Sequence, residues 1–135
     1  MYIVVMEPQL FKVIQNVIIR NSTGNILILR HITGKWLLPG GKINKGENWI
    51  DGLRRELSEE LGISDFQLKA ILDTDSWIEN GQGCFVITYL IESILNPQVI
   101  LSNEHSEYAW VSYEELGEYE FWHPKIIERI KKAFY

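Results

Sequence analysis

Gly41-Lys42-Ile43-Asn44-Lys45-Gly46-Glu47-Asn48-Trp49-Ile50-Asp51-Gly52-Leu53-Arg54-Arg55-Glu56-Leu57-Ser58-Glu59-Glu60-Leu61-Gly62-Ile63 is the stretch on which the reading turns. Ile50, Leu53, Leu57 and Leu61 recur at spacings of three and four, which predicts a helix from about Asn48 to Leu61 with one apolar stripe. Asn48 has the side chain of an N-cap, and Asp51 three residues on makes a weak capping box. Gly62 stands where a left-handed C-terminal cap is wanted. Gly52 is anomalous: in mid-helix it costs about 1 kcal/mol against Ala. Close packing against a strand would account for it.

The other side of this helix is acidic. Glu56, Glu59 and Glu60 fall at i, i+3 and i+4 and share one face. On an arbitrary helix such a run is an acidic solvated face. Here the segment before it is glycine-rich, with Gly40, Gly41 and Gly46 in seven residues. Glycine permits backbone angles that other residues resist and lets the main chain come close to a ligand or metal. Arg55 is placed to reach back to Glu47, tying loop to helix through a forked donor. Three carboxylates so crowded repel one another unless a hard cation sits among them, and Mg2+, or Mn2+ as a substitute, suits their oxygens.

The string Gly41-x5-Glu47-x7-Arg55-Glu56-Leu57-x-Glu59-Glu60-x-Gly62-Ile63 resembles the signature box of the Nudix (MutT-like) hydrolases at every specified position. Trp36-Leu37-Leu38-Pro39-Gly40-Gly41 before it, and Trp110-Val111-Ser112 with Glu114-Glu115-Leu116 after it, resemble the family's flanks. The resemblance implies hydrolysis of a diphosphate linkage in a nucleoside diphosphate joined to a further group, and an α/β/α sandwich with a mixed β-sheet. By position it implies Glu56, Glu59 and Glu60 as divalent-metal ligands, with the Gly40 carbonyl as a further one. It implies Glu47 and Arg55 as the pair that orients the site, and Glu56 or a neighbouring glutamate such as Glu59 as the base that deprotonates water. Relatives often place an extra glutamate on a loop facing the box helix, as a ligand or base. Glu104 is the first candidate and Glu107 the second.

The chemistry agrees with these residue types. A diphosphate repels an anionic nucleophile. Metal ions neutralise that charge and acidify bound water, and a nearby carboxylate serves as general base. Lys42 and Gly41, beside the box, are candidates for phosphate contact, with an ordinary solvated lysine as the alternative for Lys42. Trp122, like Trp77 and Phe121, is a candidate to stack on a base, which an aromatic face does without choosing between bases. Trp36 and Trp110 read as core or cleft wall. His105 titrates near neutrality in principle, but a lone loop histidine is more often structural or solvated.

Composition sets the remaining bounds. The 135 residues are expected to form one domain, large enough for a sizeable core. A formal charge of −5 argues against stable nucleic-acid binding, which needs a basic surface. The single cysteine, Cys84, excludes an internal disulfide and fits a cytoplasmic protein. It lies in an apolar run and reads as buried. The N-terminus, Met1 to Pro8, has a short apolar run but lacks the marks of a secretion signal, and no stretch reaches membrane length.

Along the chain, strands are expected at Phe11 to Arg20 and Ile26 to His31, joined as a hairpin, then at Phe66 to Ile78 and Cys84 to Glu92 across an Asn80-Gly81 turn. Val99 to Leu101 and Tyr108 to Val111 read as further short strands. A short helical piece is expected at Tyr113 to Leu116 and a last helix at Pro124 to Phe134, with Ile126, Ile127 and Ile130 as its apolar side. Strands with an inserted and a terminal helix indicate an α/β chain.

The leading expectation is a Mg2+-dependent pyrophosphohydrolase of a small nucleotide, acting as a monomer or homodimer. A nucleoside triphosphate would be cut to a monophosphate and pyrophosphate. The alternative is a Nudix module that binds nucleotides as a sensor after losing catalysis.

Overall fold

The computed structural model describes residues 6–92 and 97–134. Of the N-terminal stretch Met1 to Pro8, residues 1–5 therefore lie outside the described residues. Among the described residues seven strands make one mixed sheet: β1 (Phe11–Arg20), β2 (Ile26–His31), β3 (Trp36–Leu37), β4 (Gly40–Lys42), β5 (Gln67–Glu79), β6 (Gln82–Glu92) and β7 (His105–Val111). Helix α1 (Trp49–Leu61) follows β4, and α2 (Pro124–Lys131) closes the fold. The order across the sheet is β3-β2-β1-β6-β5, with β4 also on β1 and β7 on β2. Among the described strand pairs β1 and β6 run parallel, and the others are antiparallel.

The two-residue period of the strands sorts side chains to two faces. Val17, Ile19, Leu27, Leu29, Tyr89 and Ile91 pack against Leu53, Leu57 and Leu61 of α1. Ile18, Ile26, Ile28 and Leu90 pack on the opposite face against Ile126 and Ile130 of α2. The sheet thus lies between two helices, the expected sandwich. Leu53, Leu57 and Leu61 are wholly buried, and removing any one to Ala would cost about 2–5 kcal/mol. This stripe fixes the rotation of α1 and so fixes where its acidic face points.

Asn48 and Gly62 cap α1 as the sequence indicates, with the Asn48 half of the expected capping box in place. The Asn48 side chain accepts from the Asp51 amide at 2.9 Å. Gly62 takes the left-handed conformation at φ 67°. The Asn80-Gly81 pair turns β5 into β6 with both residues at positive φ, as a two-residue hairpin requires.

Three expectations are corrected. The β1–β2 hairpin is joined at Arg20 and Ile26, while farther along β1 its edge is occupied by Gly40–Lys42 of β4, paired at Ile14 to Asn16. The glycine segment read as loop is in part a strand that competes for that edge. Val99 to Leu101 is not a strand. Its backbone is drawn to the end of α1: the Ile100 amide donates to the Leu61 carbonyl at 2.9 Å, and the Ser102 amide to the Glu60 carbonyl at 3.1 Å. The last carbonyls of a helix lack partners within it, and this segment supplies them. The terminal helix ends earlier than expected, at Lys131, and passes into a 3-10 turn at Lys132–Phe134. Tyr113–Glu118 is likewise 3-10.

Candidate active site

The acidic face of α1 meets the strand β4 and the chain just before it. The Pro39 carbonyl accepts from the Val17 amide at 2.9 Å and the Val13 carbonyl from the Ile43 amide at 3.0 Å, so both ends of the glycine segment are fastened to β1. At Gly40, φ is +149° and a Cβ would lie 1.9 Å from the Gln15 carbonyl oxygen. At Gly41 a Cβ would lie 2.2 Å from the carboxyl carbon of Glu56. Only glycines allow the main chain to press between β1 and the box helix.

Arg55 is the hub of the charged residues. Its Nε donates to Glu47 Oε2 at 3.0 Å and its Nη2 to Glu47 Oε1 at 2.8 Å, a forked pair. Nη2 also donates to the Lys42 carbonyl at 3.0 Å. Nη1 donates to Glu56 Oε1 at 2.9 Å and Glu59 Oε2 at 3.3 Å. Glu47 in turn accepts from the Asn44 amide at 2.6 Å. The Arg55 hydrogen bonds, helped by that amide, pull the Glu47 carboxyl down to about 2. Glu47, mainly, holds the Arg55 guanidinium above its ordinary value.

Gly52 makes room for this pair. Its Cβ would sit 3.0 Å from Glu47 Oε1 and 3.6 Å from Gln15 Oε1. The strand contact expected for it is therefore a minor part of the reason; the carboxylate of Glu47 is the nearer neighbour. Gln15 is itself buried on β1 and donates to Tyr89 Oη at 2.9 Å.

Glu60 is the buried member of the acidic set. Its Oε1 accepts from the Gly40 amide at 3.1 Å. Burial raises its pKa to about 8; the Gly40 hydrogen bond opposes this, and the nearby charges of Glu56 and Glu104, with a hydrogen bond to Glu56, add to it. His105 Nε2 stands 3.9 Å from Glu60 Oε2. Desolvation lowers the pKa of this imidazole, Glu104 opposing and His31 assisting.

The structure thus brings Gly40, Gly41, Glu47, Arg55, Glu56 and Glu60 together, with Glu104 within electrostatic reach of Glu60. Glu59 is exposed and turned toward Arg55. Glu107 pairs with Arg30 at 2.8 Å. Lys42 has its side chain in solvent. His105 is buried beside Glu60 rather than solvated; the forty-odd residues of chain between the two carry no periodic signal that would pair them.

Trp122 is exposed and meets the His31 ring edge-on at 5.3 Å. His31 in turn meets the His105 ring at 6.2 Å. Trp122 and His31 line a cleft of about 720 Å3 together with Asn16, Leu38, Trp77 and Glu79. Phe121 is core, as is Cys84. Trp36 packs on Tyr119 at 4.9 Å and Trp110 on the α1 side of the sheet.

Among the described residues no three His, Cys, Asp or Glu side chains converge as metal ligands. Glu56 lies under Gly41 and Glu60 on the Gly40 amide, within electrostatic reach of each other. Two carboxylates this close repel one another, and a divalent cation supplies the positive charge that offsets the repulsion. The donors are all hard oxygens, the set that suits Mg2+ or Mn2+. No helix among the described residues is long and apolar enough to cross a membrane.

Comparison with known proteins agrees with this geometry. The sequence profile of the NUDIX domain matches residues 10–130. The nucleoside triphosphatase NudI of Salmonella newport is 31% identical over 96 residues, spanning 64% of this chain and 68% of that protein. The crystal structure of a MutT protein from Methanosarcina mazei superposes with a TM-score of 0.78 at 28% identity, over 96% of both chains. The dihydroneopterin triphosphate pyrophosphohydrolase of E. coli shares the fold, with a TM-score of 0.74 at 17% identity over 90% of this chain and 95% of that one. The chain belongs to the Nudix hydrolase family.

Proposed function

We propose that this protein is a divalent-metal-dependent pyrophosphohydrolase of nucleoside triphosphates, working with Mg2+ and releasing a nucleoside monophosphate and pyrophosphate. The observation that carries this reading is the gathering of Glu56 and Glu60 at the glycine segment, linked through His105, His31 and Trp122 to a cleft of about 720 Å3. A cleft of that volume is the size of a small-molecule site. The likeness to a nucleoside triphosphatase favours the triphosphate among possible substrates.

Glu56, Glu60 and the Gly40 carbonyl would hold the ion, with Glu59 and Glu104 closing in on it. A divalent ion there supplies charge neutralisation for the phosphates and acidity for water. The chain's own residues do the rest. Arg55 holds Glu56 by one arm while its other arm is locked on Glu47, so the Glu56 carboxylate is presented in a fixed orientation. Glu56 takes the proton from the attacking water, with Glu59 as the alternative base. The water oxygen bonds to phosphorus, the bridging P–O bond breaks, and pyrophosphate leaves with the bond pair. Gly41, without a side chain, lets the substrate's phosphates approach Glu56. Lys42 lies at the rim as a counter-charge. The nucleoside lies in the cleft, its base against Trp122, and Glu107 remains at the periphery through Arg30.

A phosphate-release panel tests this. Purified protein with Mg2+ is incubated with nucleoside triphosphates, diphosphates, dinucleoside polyphosphates and nucleotide sugars, with separate detection of pyrophosphate and orthophosphate. Pyrophosphate release from triphosphates is expected. Orthophosphate alone moves the cleaved bond, and no hydrolysis across the panel favours the nucleotide-binding module.

A further inference from the structure

His105 carries a feature that the reaction above does not use. Its side chain is only 4% exposed, and among the described residues its Nδ1 has no hydrogen-bond partner. A buried ring nitrogen left unpaired costs free energy, so its retention calls for a compensating contact on the other nitrogen. That nitrogen, Nε2, faces Glu60 Oε2 across 3.9 Å. The separation is about 1 Å beyond a hydrogen bond, a gap that a small rotation of either side chain closes.

The backbone holds the imidazole where it is. Residues 100–102 are tied to the last carbonyls of α1, as described. The Glu104 carbonyl accepts from the Ile32 amide at 3.2 Å and the Ser102 carbonyl from the His105 amide at 3.3 Å. His105 then enters β7, paired with His31. The segment is fastened to both α1 and β2, so His105 cannot drift from Glu60 without breaking helix-end hydrogen bonds.

We infer that His105 is a positioning residue: its Nε2–H donates to Glu60 Oε2 and, with the Gly40 amide on Oε1, holds both oxygens of that carboxylate in the orientation that receives the cation. Partners behind a ligating carboxylate govern affinity and activity by about 10–100-fold. The inference rests on the proposed metal-dependent reading of the site.

The test measures Mn2+ binding to nucleotide-free protein by electron paramagnetic resonance, with folding checked by circular dichroism and kcat and KM measured separately. His105→Met removes the donor while filling the space, and His105→Gln restores an N–H. The Met variant is expected to bind Mn2+ about 10–100-fold more weakly, with lower kcat and little change in KM, and the Gln variant to recover most of both. Wild-type Mn2+ affinity in the folded Met variant overturns the inference. Equal losses in both variants, or failure of both to fold, assign His105 to packing and overturn it as well. Wild-type protein that neither binds Mn2+ nor cuts nucleotides removes the proposed function itself, and this inference with it.

Discussion

Replacing Glu60 by Gln should make the metal-free protein more stable and the enzyme far less active. Burial raises the Glu60 pKa from 4.5 to about 8. A folded-state pKa above the unfolded value means that the folded protein holds the proton more tightly. The associated stability is fully present below pH 4.5 and is lost as pH rises through 8. The gap from 4.5 to about 8, at about 1.4 kcal/mol per pKa unit, makes the full loss on the order of 4–5 kcal/mol. Gln resembles the protonated acid, keeps an oxygen for the Gly40 amide, and does not ionise. In EDTA, urea denaturation at pH 5, 7 and 9 should show the wild type falling behind Glu60→Gln by about 1, 3 and 4–5 kcal/mol in turn, from the linkage relation. Excess Mg2+ should narrow the gap by stabilising the wild type, since a ligand that binds only the folded state adds stability by mass action. The same variant should lose at least about 100-fold in kcat, the scale on which small misplacements act. Equal stability of the two proteins at pH 9 in EDTA would refute the reasoning, because Glu60 would then not be a desolvated carboxylate.

Three further substitutions read separate parts of the site. In Gly41→Ala the new Cβ, 2.2 Å from the Glu56 carboxyl carbon, must displace that carboxylate, and kcat should fall by about 100-fold; activity near wild type would detach Gly41 from the reaction. Gly52→Ala sets helix propensity, worth about 1 kcal/mol in its favour, against a Cβ 3.0 Å from Glu47 Oε1. The melting temperature should change little while kcat drops by about tenfold, or 1.4 kcal/mol, and a variant both more stable and fully active would show that Glu47 yields freely. In Trp122→Ala the loss of one base-stacking contact, about 1–3 kcal/mol, should raise KM by at least about fivefold at nearly constant kcat; an unchanged KM would place the base elsewhere.

The two helices and most strands are legible in the sequence because local rules decide them. The stripe Ile50, Leu53, Leu57, Leu61 needs a single apolar partner, and any sheet face provides one. Asn48 and Gly62 act within one turn of their own positions. The failures have a different physical origin. Gly40–Lys42 looks like loop because its partner on β1 is some twenty-five residues away, and its two glycines give no strand propensity. Val99 to Leu101 has the composition of a strand, yet the unpaired carbonyls at the end of α1 compete for its amides more strongly than any sheet edge does. Of the site, the box residues are readable because one helix and the segment before it carry them all. His105, His31, Asn16 and Trp77 come from four strands, and only the assembled sheet brings them near the box.

Gly52 shows how a local penalty reports a non-local requirement. A helix optimised for its own stability would place Ala there and gain about 1 kcal/mol. The Cβ it would add points at Glu47, whose carboxylate holds two arms of Arg55. Arg55 spends its remaining nitrogen on Glu56 and Glu59. A displacement of Glu47 therefore reaches Glu56 through one rigid guanidinium, with no flexible link to absorb it. Lys at position 55 would offer a point charge on a flexible stem and transmit nothing comparable. The arrangement makes the orientation of Glu56 depend on a missing methyl group four residues away on the same helix. A defect in catalysis without a defect in folding is the signature expected when that methyl group is supplied.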